Sequence, residues 1–186
     1  MPASPVRAAA VVCHPHPQYG GDMDNPIVTA VVDALVAGGV AALRFNFGGV
    51  GASQGAYDDG RDEQCDVGAA EAALAARLPD VPLALVGYSF GAWVGARAAV
   101  GLPRVRRVVA VAPPLSFFDF GFAAGLRRPL DVVVGDRDQY CALDALARLV
   151  AAHGGRSTVI RGADHFFGGV ADRVGRAVAD FLADLE

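Results

Sequence analysis

The sequence predicts a three-layer α/β fold, in which a mostly parallel sheet of about six strands carries helices on both faces. Short continuous apolar runs alternate with longer segments whose apolar residues recur at helical spacing. The chain is 53% hydrophobic, enough to bury a large core. Its 186 residues contain no internal repeat and no linker-like segment. We therefore expect residues 1–186 to form a single domain.

The elements follow from local patterns. Residues 8–13 form an apolar run without alternation, as expected for a strand buried on both faces. Asn25 and Pro26 provide a helix N-cap and a proline at the first helical position, and Gly38-Gly39 ends that helix. The other strands are predicted over 40–47, 83–86, 105–112, 130–135 and 157–160. The other helices are predicted over 62–78, 91–100, 142–153 and 170–185.

The charged residues exclude several chemistries. All 16 basic residues are arginine, so no lysine is available for a Schiff base, a Ser–Lys dyad or a Walker motif. The net charge of −4 and the absence of a basic field exclude a nucleic-acid partner.

The cysteines and the apolar runs bear on location. Three unevenly spaced cysteines predict neither a disulfide framework nor a zinc knuckle, and they favour a reducing compartment. No apolar run approaches the ~18 residues of a membrane span, and the apolar stretch between Arg7 and His14 is too short for the hydrophobic region of a signal peptide. We expect a cytoplasmic protein without a membrane partner.

The strongest functional motif lies at residues 87–91, Gly-Tyr-Ser-Phe-Gly, between an apolar run and a small-residue helix. This is the G-x-S-x-G nucleophile elbow in its strand–turn–helix context, with Ser89 as the nucleophile. The glycines let strand and helix approach each other. The hydroxyl then stands near a helix N-terminus, where developing negative charge is favoured. The alternative is a Gly/Ser turn without significance.

A serine nucleophile needs a base and an acid that orients the base. His165 follows the last predicted strand and Asp138 follows the fifth, which completes the order Ser, Asp, His. Asp136 competes with Asp138, and we favour Asp138 because it extends further over the sheet edge. Asp164 is expected to be a solvated or loop-bonding carboxylate.

The oxyanion of an acyl-transfer intermediate needs hydrogen-bond donors. The backbone N–H of Phe90, directly after the nucleophile, is one expected donor. The loop after the first strand should provide the other. Pro15 and Pro17 lack an N–H, so His16 is the best candidate, and Tyr19 could also reach the site.

Several segments together resemble the small, lidless α/β-hydrolases related to dienelactone hydrolase, and the resemblance spans nearly the whole chain. These segments are His14-Pro15-His16-Pro17, Tyr19-Gly20-Gly21, Arg44-Phe45-Asn46-Phe47, Gly49-Val50-Gly51, Gly87-Tyr88-Ser89-Phe90-Gly91 and Asp164-His165-Phe166-Phe167. The resemblance implies a Ser–His–Asp acyl hydrolase of open architecture. The sequence departs from the family in two places. The N-terminal antiparallel strands are not predicted, and Gln-Tyr-Cys at 139–141 replaces the usual valine and proline.

Two cofactor hypotheses compete with this one. His14 and His16 could bind a metal together with His165 and one of Asp22, Asp24 or Asp164. The flanking prolines and the complete serine constellation favour a hydrogen bond from His14 to backbone instead. Gly49, Gly51 and Gly55 resemble a dinucleotide fingerprint, but they follow the second strand and no acidic ribose partner follows. We expect a turn packed beneath the site, with no metal and no cofactor.

Seven of the ten phenylalanines lie in or near the predicted site loops. They could form an apolar pocket for an acyl or aryl group, with Phe117, Phe166 and Tyr19 as candidate pocket residues. They could equally seal the core beneath a short connection. Only residues 113–129 lie where larger hydrolases insert a cap, so we expect no lid.

The sequence therefore predicts a serine hydrolase that cleaves a carboxylic ester of a small or medium acyl or aryl substrate. A thioesterase on the same triad is the nearest alternative. A non-catalytic small-molecule binding module that keeps the fold and pocket is the alternative from another class.

Overall fold

A computed structural model describes residues 5–185. Its strands are β1 (Ala8–Cys13), β2 (Val40–Arg44), β3 (Leu83–Tyr88), β4 (Val105–Val111), β5 (Leu130–Gly135) and β6 (Ser157–Ile160). Its α-helices are α1 (Pro26–Ala37), α2 (Asp62–Arg77), α3 (Phe90–Ala99), α4 (Leu143–Ala152) and α5 (Ala171–Phe181). Two short 3₁₀ helices, Pro17–Tyr19 and Gly121–Gly125, lie in the loops after β1 and β4.

The six strands form one sheet in the order β2-β1-β3-β4-β5-β6, and every neighbouring pair is parallel. Helices α1 and α5 cover one face, while α2, α3 and α4 cover the other. This arrangement confirms the predicted three-layer architecture. Because all strands run the same way, the loops after them gather at one edge of the sheet, where ligands of such sheets bind.

Local signals determine where α1 begins. The Asn25 side chain accepts a hydrogen bond from the Ile27 N–H at 2.9 Å, so it caps the first turn as predicted. Pro26 occupies the first helical position, where its missing N–H costs nothing. The helix then buries Ile27, Val28, Val31 and Leu35 against the sheet.

Element ends differ from the prediction where distant contacts decide them. Strand β2 ends at Arg44 rather than at 47, and the N–H of Phe47 donates to the His14 ring instead of to a neighbouring strand. Strand β3 continues two residues beyond 86, because Tyr88 still pairs with Val111 of β4. The last helix ends at Phe181 and not at 185, although Leu185 remains buried.

A buried carboxylate lies at the opposite edge of the sheet from the site. Asp131, near the start of β5, is 1% exposed, and it accepts the Arg156 N–H at 2.6 Å. The guanidinium groups of Arg107 and Arg156 also lie within 3.7 and 3.4 Å of it, and both donate to the Phe181 carbonyl. The cluster thereby ties α5 to the sheet.

The connection between β4 and β5, residues 112–129, holds only the short 3₁₀ helix Gly121–Gly125. No cap covers the carboxyl edge of the sheet at this point. Within residues 5–185, no helix is long and apolar enough to cross a membrane.

Candidate active site

Ser89 occupies a sharp turn between β3 and α3. Its backbone has φ +54° and ψ −118°, a conformation that L-residues rarely adopt. Its N–H donates to the Val111 carbonyl at 2.9 Å, which keeps the residue at the strand end. Such backbone strain costs about 1–3 kcal/mol and concentrates at functional sites. The predicted nucleophile elbow is therefore present in the geometry.

Two glycines make this turn sterically feasible. A Cβ on Gly87 would lie 2.1 Å from the Gly91 carbonyl oxygen. A Cβ on Gly91 would lie 2.4 Å from the His14 carbonyl oxygen. Both distances are shorter than any tolerable contact, so side chains at these positions would force α3 away from the sheet.

Three side chains from three loops meet at this edge. His165 Nε2 lies 2.9 Å from Ser89 Oγ, and His165 Nδ1 lies 3.0 Å from Asp138 Oδ2. The carboxylate of Asp138 is fully buried and the imidazole is 5% exposed. Because the carboxylate can only accept, Nδ1 carries the proton, and Nε2 is left to accept from the serine hydroxyl. The three side chains thus have the geometry that a nucleophile, a base and an orienting acid would require.

The other two candidate carboxylates bond to loops. Asp136 Oδ1 accepts the Gly162 N–H at 2.6 Å, and Asp164 Oδ1 accepts the Phe166 N–H at 3.0 Å. Of the three carboxylates, only that of Asp138 faces the imidazole. The Tyr140 N–H donates a hydrogen bond to Asp138 Oδ1 at 2.8 Å.

Tyr88, the residue before Ser89, supports the loop that carries His165. The hydroxyl of Tyr88 donates to the His165 carbonyl at 3.1 Å, and the two rings lie 6.0 Å apart. Burial, with the nearby carboxylates of Asp138 and Asp164, raises the pKa of Tyr88, so its hydroxyl stays protonated and can donate. This contact is not evident from the sequence, since the middle positions of the elbow motif accept any residue.

The two predicted oxyanion donors lie beside the serine. Phe90 is the first residue of α3, where N–H groups have no acceptor within the helix. His16 precedes the 3₁₀ helix in the loop after β1, and both residues line the same cavity as Ser89. Between the described residues, neither N–H makes a hydrogen bond. Both are thus available to a ligand.

A cavity of about 690 Å³ opens above Ser89. Tyr19, Phe117 and Phe166 line it as expected, and they are 86%, 67% and 60% exposed, which makes them an aromatic rim. The remaining lining residues are Pro15, His16, Gly20, Gly21, Asn25, Tyr88, Ser89, Phe90, Pro114, Phe118, Tyr140 and His165. Among the described residues that line the cavity, none is an aspartate, glutamate or arginine.

The phenylalanines divide between the two roles that the sequence allows. Phe117, Phe118 and Phe166 line the cavity, while Phe120 and Phe167 are buried in the core. Tyr140 also lines the cavity, although no sequence motif predicts it there. Its ring packs edge-on against His165 at 4.8 Å and lies 5.0 Å from Phe117. The only signal was its place in the segment that departs from the family.

His14 braces the loop as predicted. Its Nδ1–H donates to the Pro15 carbonyl at 2.7 Å, and its Nε2 accepts the Phe47 N–H at 3.0 Å. Both ring nitrogens are therefore engaged with backbone, and no lone pair is left for a metal. Burial lowers the pKa of His14, which favours this neutral form. Among residues 5–185, no three potential ligands cluster as a metal site would require.

The glycine-rich segment after β2 forms a turn, as predicted. The N–H groups of Gly48, Gly49 and Val50 donate to the Asp66 carboxylate and to the Gln54 and Phe47 carbonyls. A dinucleotide-binding loop would leave such groups free for a pyrophosphate. Cys141, beside the acid loop, is buried, and burial raises its pKa to about 12, so its thiol is unreactive.

Comparison with known proteins places these features in context. No family model matches the chain. A protein of Rickettsia prowazekii described as uncharacterized is 34% identical over 98% of this chain and 82% of its own length. An α/β serine hydrolase homologue from Coxiella burnetii is 33% identical, with a TM-score of 0.86 over 96% of this chain and 87% of that one. A lidless α/β serine hydrolase from Xanthomonas campestris is 31% identical, with a TM-score of 0.87 over 96% and 82% of the two chains.

Proposed function

The chain belongs to the small lidless α/β-hydrolases, and on this premise we propose that it hydrolyses uncharged carboxylic esters through Ser89, His165 and Asp138. The observation that carries the proposal is the unbroken hydrogen-bond chain from Ser89 Oγ through the imidazole to the Asp138 carboxylate. Such a chain activates a hydroxyl that would otherwise be a weak nucleophile near neutral pH.

Acylation begins when Ser89 Oγ attacks the ester carbonyl carbon while His165 Nε2 accepts the hydroxyl proton. Asp138 keeps the imidazole oriented and stabilises its positive charge. The tetrahedral oxyanion accepts hydrogen bonds from the N–H groups of Phe90 and His16. When the C–O bond to the alcohol breaks, His165 returns the proton to the leaving oxygen, and an acyl-serine remains.

Deacylation repeats these steps with water. His165 accepts a proton from the attacking water, and the same two N–H groups stabilise the second oxyanion. The C–O bond to Ser89 then breaks, the serine oxygen recovers its proton from the imidazolium, and the carboxylic acid leaves. No cofactor is needed to balance either half-reaction.

The substrate class follows from the cavity. Its walls are aromatic and lack charged side chains, so an apolar acyl or aryl group replaces water there at little cost. A carboxylate on the substrate would find no arginine to pair with. Because the rim residues are exposed and no cap closes over them, small and medium substrates should enter without a conformational change.

Fluorophosphonate labelling located by peptide mass spectrometry tests the nucleophile. We expect modification at Ser89 alone, its loss in Ser89→Ala, and its retention in Ser157→Ala, whose serine lies on an exposed strand. A well-folded protein that remains unlabelled would overturn the proposal and favour a binding module. A panel of matched oxygen esters and thioesters with one acyl group then measures kcat/KM. A consistent preference for the thioesters would assign a thioesterase instead.

A further inference from the structure

A cluster of hydrogen-bonded side chains surrounds the ring of His16, one of the two proposed oxyanion donors. His16 Nδ1 accepts the Gln18 N–H at 3.2 Å, and His16 Nε2 lies 3.1 Å from the hydroxyl oxygen of Tyr57. Because Nδ1 accepts, the proton of the neutral ring is on Nε2 and is donated to the tyrosine oxygen. The orientation of the His16 ring is therefore determined at both nitrogens.

The aromatic contacts hold the same ring on three sides. The His16 ring centroid lies 4.7 Å from Tyr19, 4.9 Å from Tyr57 and 4.8 Å from Phe90. Tyr57 also contacts Phe90 directly, with 5.7 Å between ring centroids. Tyr57 thus contacts the side chains of both residues that are proposed as oxyanion donors.

The backbone of His16 is constrained as well. Its carbonyl accepts hydrogen bonds from the Tyr19 N–H at 3.1 Å and the Gly21 N–H at 3.0 Å. With the ring nitrogens and the carbonyl occupied, the N–H is the one polar group of His16 without a partner among the described residues. Whatever holds the ring therefore also determines where this N–H points.

From this geometry we propose that Tyr57 is a positioning residue for ester hydrolysis, which holds the His16 N–H in the oxyanion hole through the His16 side chain. The inference rests on the proposed function, since it assigns a role in that reaction. Burial, together with the neighbouring Asp59 and Glu63 carboxylates, raises the pKa of Tyr57 to about 12 and keeps the hydroxyl protonated.

The role predicts a specific kinetic pattern. An oxyanion donor contacts negative charge that exists only in the transition state, so its displacement lowers kcat and leaves KM nearly unchanged. Removing one such donor outright costs about 10²–10³ in kcat, and a donor that is loosened but present costs less. We expect Tyr57→Phe, which deletes only the hydroxyl, to lower kcat about tenfold.

Ser53→Ala is the matched control. Like Tyr57→Phe it deletes one partly buried hydroxyl from the segment after β2, where the Ser53 hydroxyl donates to the Asn46 carbonyl at 2.8 Å, and Ser53 does not line the cavity. We expect this variant to keep the wild-type kcat within about twofold. Thermal unfolding of both variants shows whether either change acts through stability.

Two inhibitors distinguish a role in the oxyanion hole from a merely structural role. In the trifluoroacetophenone complex, Ser89 Oγ adds to the ketone carbon while His165 takes the hydroxyl proton, so a tetrahedral oxyanion forms. Acetophenone binds without that negative charge. For Tyr57→Phe we expect the inhibition constant of the first to rise about tenfold and that of the second to stay unchanged. A loss of affinity for both, or a raised KM with unchanged kcat, would show that Tyr57 only shapes the cavity and would overturn the inference. An unchanged kcat would do the same.

The two proposals can fail separately. If the wild-type protein neither reacts with fluorophosphonate nor turns over esters, the proposed function fails. If it does both and Tyr57→Phe behaves like Ser53→Ala, only the positioning role fails.

Discussion

The strained backbone at Ser89 predicts an unusual stability change. With φ at +54° and ψ at −118°, the Cβ of any L-residue is crowded, whereas glycine adopts the mirror-image region freely. Ser89→Gly and Ser89→Ala both remove the hydroxyl and its hydrogen bond to His165. The difference in stability between them therefore isolates the strain. We expect both variants to be inactive and the glycine variant to be the more stable.

The magnitude follows from two opposing contributions. Relief of strain at such a position is worth about 1–3 kcal/mol. Glycine reduces this gain by about 0.5–1 kcal/mol, because it loses more conformational freedom on folding than alanine does. The net gain of Ser89→Gly over Ser89→Ala is about 1 kcal/mol in the free energy of unfolding. For a domain of this size that corresponds to a Tm higher by about 3 °C.

Urea and thermal unfolding of the two variants measure this difference. A matched pair at Ser157, an exposed position in β6, should show the opposite sign, because its extended backbone is unstrained. There Ser157→Gly should be less stable than Ser157→Ala by about 0.5–1 kcal/mol. If Ser89→Gly is equal to or less stable than Ser89→Ala, the turn stores no strain and the reasoning is refuted.

Three further predictions concern carboxylates and the buried histidine. Asp138→Asn should lower the kcat of ester hydrolysis about 10⁴-fold. As a control, Asp136→Asn should keep kcat within about threefold of wild type, because the amide oxygen can still accept the Gly162 N–H. The free energy of unfolding, measured with urea, should decrease as the pH drops below about 6.5, because burial lowers the pKa of His14 and the unfolded chain therefore binds the proton at a higher pH than the folded chain does. His14→Gln should make this dependence on pH weaker. Asp131→Asn should lower the free energy of unfolding by about 2–3 kcal/mol, because it leaves two guanidinium groups without their buried carboxylate partner. As a control, Asp172→Asn, which removes one member of an exposed helical ion pair, should lower it by less than about 0.5 kcal/mol.

The fold could be predicted because its signals are local. Apolar runs and helical periods depend on neighbouring residues, so all six strands and five α-helices of residues 5–185 were identified. Their ends were predicted less accurately. Phe47 was predicted to end the second strand, but it lies outside β2, and its N–H donates to the ring of His14, 33 residues away along the chain. No pattern within residues 40–47 contains that contact.

The candidate site divides in the same way. Ser89, Asp138 and His165 were identified because a motif and a chain order point to them, and the structure brings the three together. Tyr57 and Tyr140 carry no motif. They belong to the site only because folding places one against the His16 ring and the other against the His165 ring. Each of these contacts joins two different loops, and no sequence pattern connects one loop with the other.

These cross-loop contacts explain how a site without a cap can be rigid. Enzymes with lids complete their catalytic geometry when they close, but here the loops are tied in advance by side chains that bond to another loop's backbone or side chain. Tyr88 bonds to the His165 carbonyl, Tyr57 to the His16 ring, and His14 to the Phe47 N–H. Each of these groups donates or accepts from a buried or partly buried position, where water cannot readily replace the partner. The proposed catalytic groups therefore need no substrate-driven closure, and under the proposed function the exposed aromatic rim is left to select among esters.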